Sequence, residues 1–383
     1  MCGITALISN KNIIYNLYES LYHLQHRGQD GFGISFLEND TIKICKYKGL
    51  LSTININNKL SEINTNIALG HVRYPTIGDN TINECQPFLK EDLYYNISLI
   101  HNGQIWITDK LINYFKLNNI IIPENITSDS IYLLYFLSYH INKHKILNYN
   151  KILEIISELY DLFEGSYNCI CMIENYGLIC FKDPYSIRPL ILGFKNNSYI
   201  ISSESISITS IDYEIINDIY NNELYIFNNN TYKKLNIKNE TFNIKPCIFE
   251  WIYLSREEST LYGVNVYQSR LKMGEYLAES IKNKIDLNDI DLIVPIPDTT
   301  PPIIELIGEE EIKSSSLGAK IIQYQKSSGW SETGKQAFNE KFGIPKSQNY
   351  LATISEHLST EIEILGTGMG ASYKRKVLSQ SPK

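Results

Sequence analysis

The chain has 383 residues, 43% of them hydrophobic and 20% charged, with 35 Lys and Arg against 42 Asp and Glu. That length suits two domains, because a single core rarely grows past roughly 250–300 residues. The net charge of −7 argues against a nucleic-acid partner or an anionic membrane surface, despite the short basic cluster Lys374, Arg375 and Lys376.

The first segment, MCGITALIS, puts a thiol directly behind the initiator. Removal of Met1 is expected because the next side chain is small, and it leaves Cys2 carrying both a thiol and an α-amine. Such an amine titrates near pH ~8, so part of it is an unprotonated base at neutral pH. A nucleophile with its own general base needs no separate histidine. The stretch from Ile4 to Ile8 is too short for the apolar core of a signal peptide.

Apolar runs of strand length recur at 4–8, 33–36, 42–45, 67–72, 97–100, 170–173, 178–181, 199–202 and 224–227, most bounded by Gly, Asn, Asp or Pro. Helical spacing over 13–24 places Ile13, Ile14, Leu17, Leu21 and Leu24 on one stripe. Two more helices are predicted, over 129–143 with Thr127 or Ser128 as N-cap, and over 150–163. Many strands with helices gathered in two places predict an α+β arrangement of stacked antiparallel sheets covered by helices. After residue 245 the pattern changes. CIFEWIYL predicts a strand, 265–284 a long amphipathic helix, and DLIVPIP a buried strand of the parallel type that opens an α/β domain. Beyond Pro301 and Pro302, SSSLGAK, QKSSGWSETGK and GTGMGASYKRK predict loops.

Seven cysteines without a C-x-x-C pair argue against a disulfide framework or a zinc site, and for a reducing, cytoplasmic setting. No run approaches the ~18 apolar residues of a membrane span.

Four stretches carry chemistry: LQHRGQDGFGIS (24–35), ALGHVRYPTIG (68–78), ISLIHNGQIWI (97–107) and ITSDSIYLL (126–134). Each has a plain structural alternative. Asn102-Gly103 is a strong hairpin-turn signal, Asp129 suits a first helical turn, and Arg73 can be a surface cation at a strand end. Together they suit attack of a Cys2 thiolate on a carboxamide. The side-chain amide of Asn102 and the backbone N–H of Gly103 would stabilise the oxyanion. A forked Arg73 guanidinium would take the α-carboxylate of glutamine, and Asp129 its α-ammonium.

MCGI, QHRGQDGFGI, GHVRYPTIG, LIHNGQI and TSDS, in this order, resemble the class II glutamine amidotransferases, which are N-terminal-nucleophile hydrolases. The resemblance implies a four-layer sandwich with Cys2 as nucleophile, Asn102 and Gly103 as the oxyanion hole, and Arg73 and Asp129 on L-glutamine. It also implies a loop, Tyr74–Gly78 with Thr76 in it, that closes over the substrate, and Arg27 beside the nucleophile. GSYNCICMI (165–173), FKDPYSIRPLILG (181–193), ISSES (201–205) and the long stretch from Pro246 to Glu279 narrow the resemblance to the amidophosphoribosyltransferase family. VPIPDTT (294–300) is similar to that family's pyrophosphate-side loop, which points to Asp298, Thr299 and Thr300. What it implies is a glutaminase domain over 2–245, the start of a partial α/β phosphoribosyltransferase-like domain over 246–301, and a divergent tail over 302–383. It further implies phosphoribosyl pyrophosphate as second substrate, Mg²⁺ arriving with it, 5-phosphoribosylamine as product in purine biosynthesis, and a homo-oligomer.

The resemblance ends near Pro302. No Asp-Asp pair follows residue 300, and the Gly-rich stretch EILGTGMGAS (363–372) lacks the family's acidic spacing. A Gln-dependent transferase is therefore weighed against two alternatives. One is a glutaminase whose transferase half is defective, slow and indifferent to phosphoribosyl pyrophosphate; the other is a silent partner of an intact chain. No Cys follows Cys247, so an iron–sulfur cluster is not expected, and Cys247 is predicted to be a buried strand residue.

Overall fold

The computed structural model describes residues 2–53, 60–74, 81–123, 126–228, 231–240, 242–282, 362–368 and 371–377. It divides into two units, Met1–Val266 and Tyr267–Lys383.

The first unit alternates strands and helices as follows. β1 (Gly3–Ile8) leads to α1 (Ile14–His23), then β2 (Gly31–Glu38), β3 (Thr41–Lys48), β4 (Ile67–Arg73), β5 (Phe88–Lys90) and β6 (Ile97–Trp106). Three helices come next: α2 (Asp109–Leu117), α3 (Ser130–Ile141) and α4 (Tyr149–Leu162). They are followed by β7 (Glu164–Ile173), β8 (Gly177–Lys182), β9 (Ile191–Lys195), β10 (Ser198–Ser202), the short α5 (Ile206–Thr209), β11 (Glu214–Asp218), β12 (Glu223–Asn228) and β13 (Thr231–Asn236). A small hairpin of β14 (Thr260–Leu261) and β15 (Val264–Asn265) ends it, and α6 runs Val266–Lys282.

Two antiparallel sheets form the centre. One has the order β11-β9-β10-β1-β4-β2-β3, the other β13-β12-β8-β7-β6-β5. The period-2 pattern of the strands divides their side chains between two layers. Ile4, Ala6 and Ile8 of β1 pack with Ile170 and Met172 of β7 and Leu178 of β8 between the sheets. On the opposite face, Leu7 of β1 and Phe32 and Ile34 of β2 meet Leu17 and Leu21 of α1. Tyr167, Cys169 and Cys171 of β7 meet Phe136 of α3 and Ile156 of α4 outside the second sheet. Helix, sheet, sheet, helix is the expected four-layer sandwich.

The helices over 13–24, 129–143 and 150–163 appear within a residue or two. The N-cap of α3 differs from expectation. Asp129 occupies that position without a side-chain cap bond. Thr127 gives its N–H (2.7 Å) and hydroxyl (3.1 Å) to Glu84 Oε1, while the Ser128 hydroxyl turns to Ser130 Oγ at 3.3 Å. Both predicted capping groups are already engaged elsewhere.

Four other local expectations are corrected. Asn102-Gly103 is not a hairpin tip: both lie inside β6, facing Asn168 and Tyr167 of β7. CIFEWIYL is not a strand, because Glu250–Leu254 form a turn of π-helix; coiling lets Glu250 reach a buried arginine that an extended segment would pass. Cys247 is half-buried in an irregular segment, its N–H donated to the Ile187 carbonyl at 2.9 Å. In the second unit, GTGMGASYKRK, expected as loop, contributes to β16 (Ile362–Gly368) and β17 (Ala371–Val377), an antiparallel pair in register from Ile362↔Val377 to Gly368↔Ala371. Lys374, Arg375 and Lys376 belong to β17. DLIVPIP lies outside the described residues.

Candidate active site

The amino-terminal end of β1 and the carboxyl-terminal end of β4 adjoin, since Gly3 pairs with Val72. This register brings Cys2 beside Arg73 although β1, α1, β2, β3 and most of β4 separate them in sequence. Cys2 is half-buried, and its Sγ points to the Tyr74 carbonyl at 3.8 Å. Burial pushes its thiol above the ordinary range, and the charge of Arg73 works in the opposite direction.

Cys2, Arg73, Gly103 and Asp129 line one cleft, open to solvent. Arg73 is no surface cation; it is 4% exposed, and Nη1 donates to the Thr81 carbonyl at 3.2 Å. Asp129 commits Oδ2 to the Ile105 N–H at 2.6 Å, which ties the start of α3 to β6. Gly103 has no room for a side chain. A Cβ there would stand 2.0 Å from the Ser166 carbonyl oxygen.

Asn102 points to the other side of β6, into the layer between the sheets. Its Nδ2 approaches Ser203 Oγ at 3.5 Å, and its Oδ1 is buried without a partner among the described residues. Ser203 Oγ also accepts the Ile4 N–H at 3.0 Å, so Asn102 sits beneath the first turn of chain after Cys2.

Arg27 lies behind Cys2, in a 3₁₀ turn over Gln25–Arg27. Its Nε donates to the Cys2 carbonyl at 3.1 Å, and Nη1 and Nη2 reach Glu204 (2.5 Å) and Glu250 (2.9 Å). Burial opposes its charge, yet the two carboxylates raise its pKa further. Gly28 lets this turn press on β4: a Cβ there would stand 2.5 Å from the Arg73 carbonyl carbon. Thr76, Asp298, Thr299 and Thr300 lie outside the described residues.

Several polar groups of the cleft carried no sequence signal strong enough to single them out. His101 accepts or donates at Nδ1 with Ser130 Oγ (2.8 Å), its N–H goes to Gln86 Oε1 (2.6 Å), and burial lowers its pKa. His71, two residues before Arg73 on the same face of β4, is fully buried with neither ring nitrogen partnered among the described residues. Burial drives its pKa well down, with His101 and Arg73 adding to the effect, so it is neutral at pH 7. Strand period alone would have placed it beside Arg73. Glu84 lines the cleft too, one oxygen held by Thr127 and the other without a partner among the described residues.

Among curated proteins, the chain is 32% identical to the amidophosphoribosyltransferase of Pasteurella multocida over 317 residues, which is 79% of this chain and 61% of that protein. It is 33% identical to that of Schizosaccharomyces pombe over 329 residues, 78% of this chain and 60% of that one. This chain is a relative of the amidophosphoribosyltransferases. It spans about three fifths of the length of the curated relatives it matches. Of solved structures, glutamine phosphoribosylpyrophosphate amidotransferase from B. subtilis, complexed with ADP and GMP, superposes with TM-score 0.67 at 25% identity, over 79% of this chain and 62% of that one. A second, described as the allosteric regulatory enzyme of purine biosynthesis, gives TM-score 0.68 at 25% identity over 81% and 63%. No family model matches the chain. The amidophosphoribosyltransferase structures share the sandwich of the N-terminal-nucleophile hydrolases. Among the described residues no helix is long and apolar enough to cross a membrane, and no cluster of His, Cys, Asp and Glu suits a metal ion.

Proposed function

We propose that this chain is a glutamine-dependent amidotransferase of the amidophosphoribosyltransferase kind, with Cys2 as its nucleophile. The supporting observation is the convergence of Cys2, Arg73, Gly103 and Asp129 on one cleft, in a chain related to enzymes of that name.

In this reading Met1 is removed and the α-amine of Cys2 takes the thiol proton, which matters because burial raises the thiol's pKa. The sulfur bonds to the carboxamide carbon of glutamine. The oxyanion receives the Gly103 N–H and the Asn102 amide, the latter after turning from its long contact with Ser203. The protonated amine returns its proton to the leaving nitrogen, ammonia departs, and water then cleaves the thioester to glutamate. Arg73 pairs with the α-carboxylate and Oδ1 of Asp129, now in a long contact with the Ser130 hydroxyl, with the α-ammonium, while Thr76 closes with its loop. The ammonia displaces pyrophosphate from C1 of phosphoribosyl pyrophosphate, giving 5-phosphoribosylamine for purine synthesis. Asp298, Thr299 and Thr300 would face that pyrophosphate, whose Mg²⁺ comes as part of the substrate. Cytoplasmic location and homo-oligomeric assembly belong to the same proposal.

A glutaminase with a defective transferase half is the second reading, favoured by the lack of any Asp-Asp pair after residue 300. Purified wild-type chain is expected to release ammonia from glutamine, Cys2→Ala to release none, and intact mass to show loss of Met1. Ammonia from the Cys2→Ala protein would exclude the nucleophile assignment. Phosphoribosylamine yield separates the two readings.

A further inference from the structure

Behind the cleft lies a net of buried charges that meets the cleft's lining at the Cys2 backbone. Its centre is Arg27, 1% exposed, whose Nε fixes the Cys2 carbonyl. Nη1 goes to Glu204 Oε1 at 2.5 Å and to Ser255 Oγ at 3.4 Å, and Nη2 to Glu250 Oε1 at 2.9 Å. Each carboxylate continues outward. Glu204 Oε2 accepts the Arg256 N–H (3.0 Å) and the Ser259 hydroxyl (2.9 Å), and Oε1 also meets His26 Nε2 at 2.7 Å. Glu250 Oε2 accepts the Ser255 hydroxyl at 2.9 Å, and Oε1 meets Arg188 Nη1 at 3.3 Å. The partners of Arg27 stand 177 and 223 residues away in sequence.

Apolar side chains would join these segments at least as firmly, because buried ion pairs lose much of their attraction to desolvation. What a guanidinium between two carboxylates adds is direction. Its planar fork admits one orientation, and the third nitrogen is then aimed at a single point, here the backbone carbonyl of the residue that carries the thiol.

We propose that Glu204 and Glu250 are positioning residues for Cys2, acting through Arg27, and that the segment from Glu250 to Ser259 is part of the nucleophile's support. This rests on the reading of Cys2 as a glutaminase nucleophile. It moves the working boundary of the glutaminase past residue 245, since a unit ending there would leave Arg27 without Glu250 and Ser255, and Glu204 without Arg256 and Ser259.

The test uses the full chain, with wild type, Glu250→Gln and Glu204→Gln beside Leu159→Ala, a core variant of α4 that lowers stability without touching the net. Ammonia release from glutamine and the rate of Cys2 alkylation by iodoacetamide are measured on each, with melting temperature. Expected are falls in kcat on the order of ten- to a hundred-fold for the Glu variants, with KM within about two-fold and an altered alkylation rate at Cys2. Leu159→Ala should match wild type in both readouts. If Glu250→Gln fails to fold, Ser259→Ala carries the same comparison with a smaller fall of roughly five-fold. Unchanged kcat and unchanged alkylation in the folded variants overturn the proposal. A wild-type chain that releases no ammonia overturns instead the reading of Cys2, and the alkylation rates still decide whether the net positions its thiol.

Discussion

Arg73, Asp129 and Asn102 differ in what each would do along the reaction, and kinetics can tell them apart. Arg73 and Asp129 face the α-substituents of glutamine, which do not change charge as the amide is cleaved. Their loss removes binding that is equal in ground and transition states, so Arg73→Ala and Asp129→Ala are expected to raise KM with little change in kcat. Asn102 would meet charge that appears only at the tetrahedral stage. Asn102→Ala is therefore expected to lower kcat by roughly 10²–10³-fold. Steady-state rates over a glutamine titration check both, and an Asn102 effect confined to KM would remove it from the oxyanion hole. The donor it would use, Nδ2, makes only a long 3.5 Å contact with Ser203 Oγ.

At the scale of elements, β6 and its neighbours carry the site. Gly103 has its chain pressed against β7, where a methyl would stand 2.0 Å from the Ser166 oxygen and 2.8 Å from the His101 ring. Backbone cannot give way as a flexible side chain does. Gly103→Ala is expected to cost roughly 1–3 kcal/mol of stability or more through overpacking, read by thermal melts, with activity lost as β6 shifts. The turn carrying Arg27 is held to the segment after Glu250 by charge, which gives a pH signature. Burial works against the Glu204 carboxylate, but His26 and Arg27 hold its pKa down at about 2, below the 4.5 of a free glutamate. The folded state thus binds fewer protons at this site than the unfolded chain. Its stabilising contribution is full above about pH 4.5 and declines as pH falls toward 2. Melting temperature from pH 6 downward should fall less steeply in Glu204→Gln than in wild type; parallel curves would contradict the low pKa.

For the whole molecule the question is whether hydrolysis answers to the second substrate. Ammonia released without an acceptor is wasted, and coupling requires that phosphoribosyl pyrophosphate bind the active state better than the resting one. In the proposed amidotransferase, glutamine hydrolysis with Mg²⁺ present should rise several-fold and saturably with phosphoribosyl pyrophosphate, with phosphoribosylamine formed in step. Slow hydrolysis indifferent to that titration, without phosphoribosylamine, would select the glutaminase with a defective transferase half.

Strands, helices and the cleft's principal residues were legible in the sequence because each rests on local pattern. Short apolar runs marked β1, β4, β6 and β7, helical spacing marked α1 and α4, and the thiol behind Met1 together with HRGQD, HVRYPT, HNG and TSDS marked the chemistry. Local pattern also misled where tertiary partners prevail. Asn102-Gly103 has the composition of a turn, yet pairing with β7 along the whole of β6 keeps it extended. CIFEWIYL has strand composition, yet the reach of Glu250 to Arg27 coils it. Short edge strands such as β5 and β11 have too few residues to show a period. What only the folded chain decides is which charges meet. Arg27, Glu204 and Glu250 are ordinary residues in sequence, and no periodicity links positions so far apart. Their pairing follows from stacking the two sheets and folding the segment after residue 245 back over the start of β1, where burial sets the guanidinium between the two carboxylates.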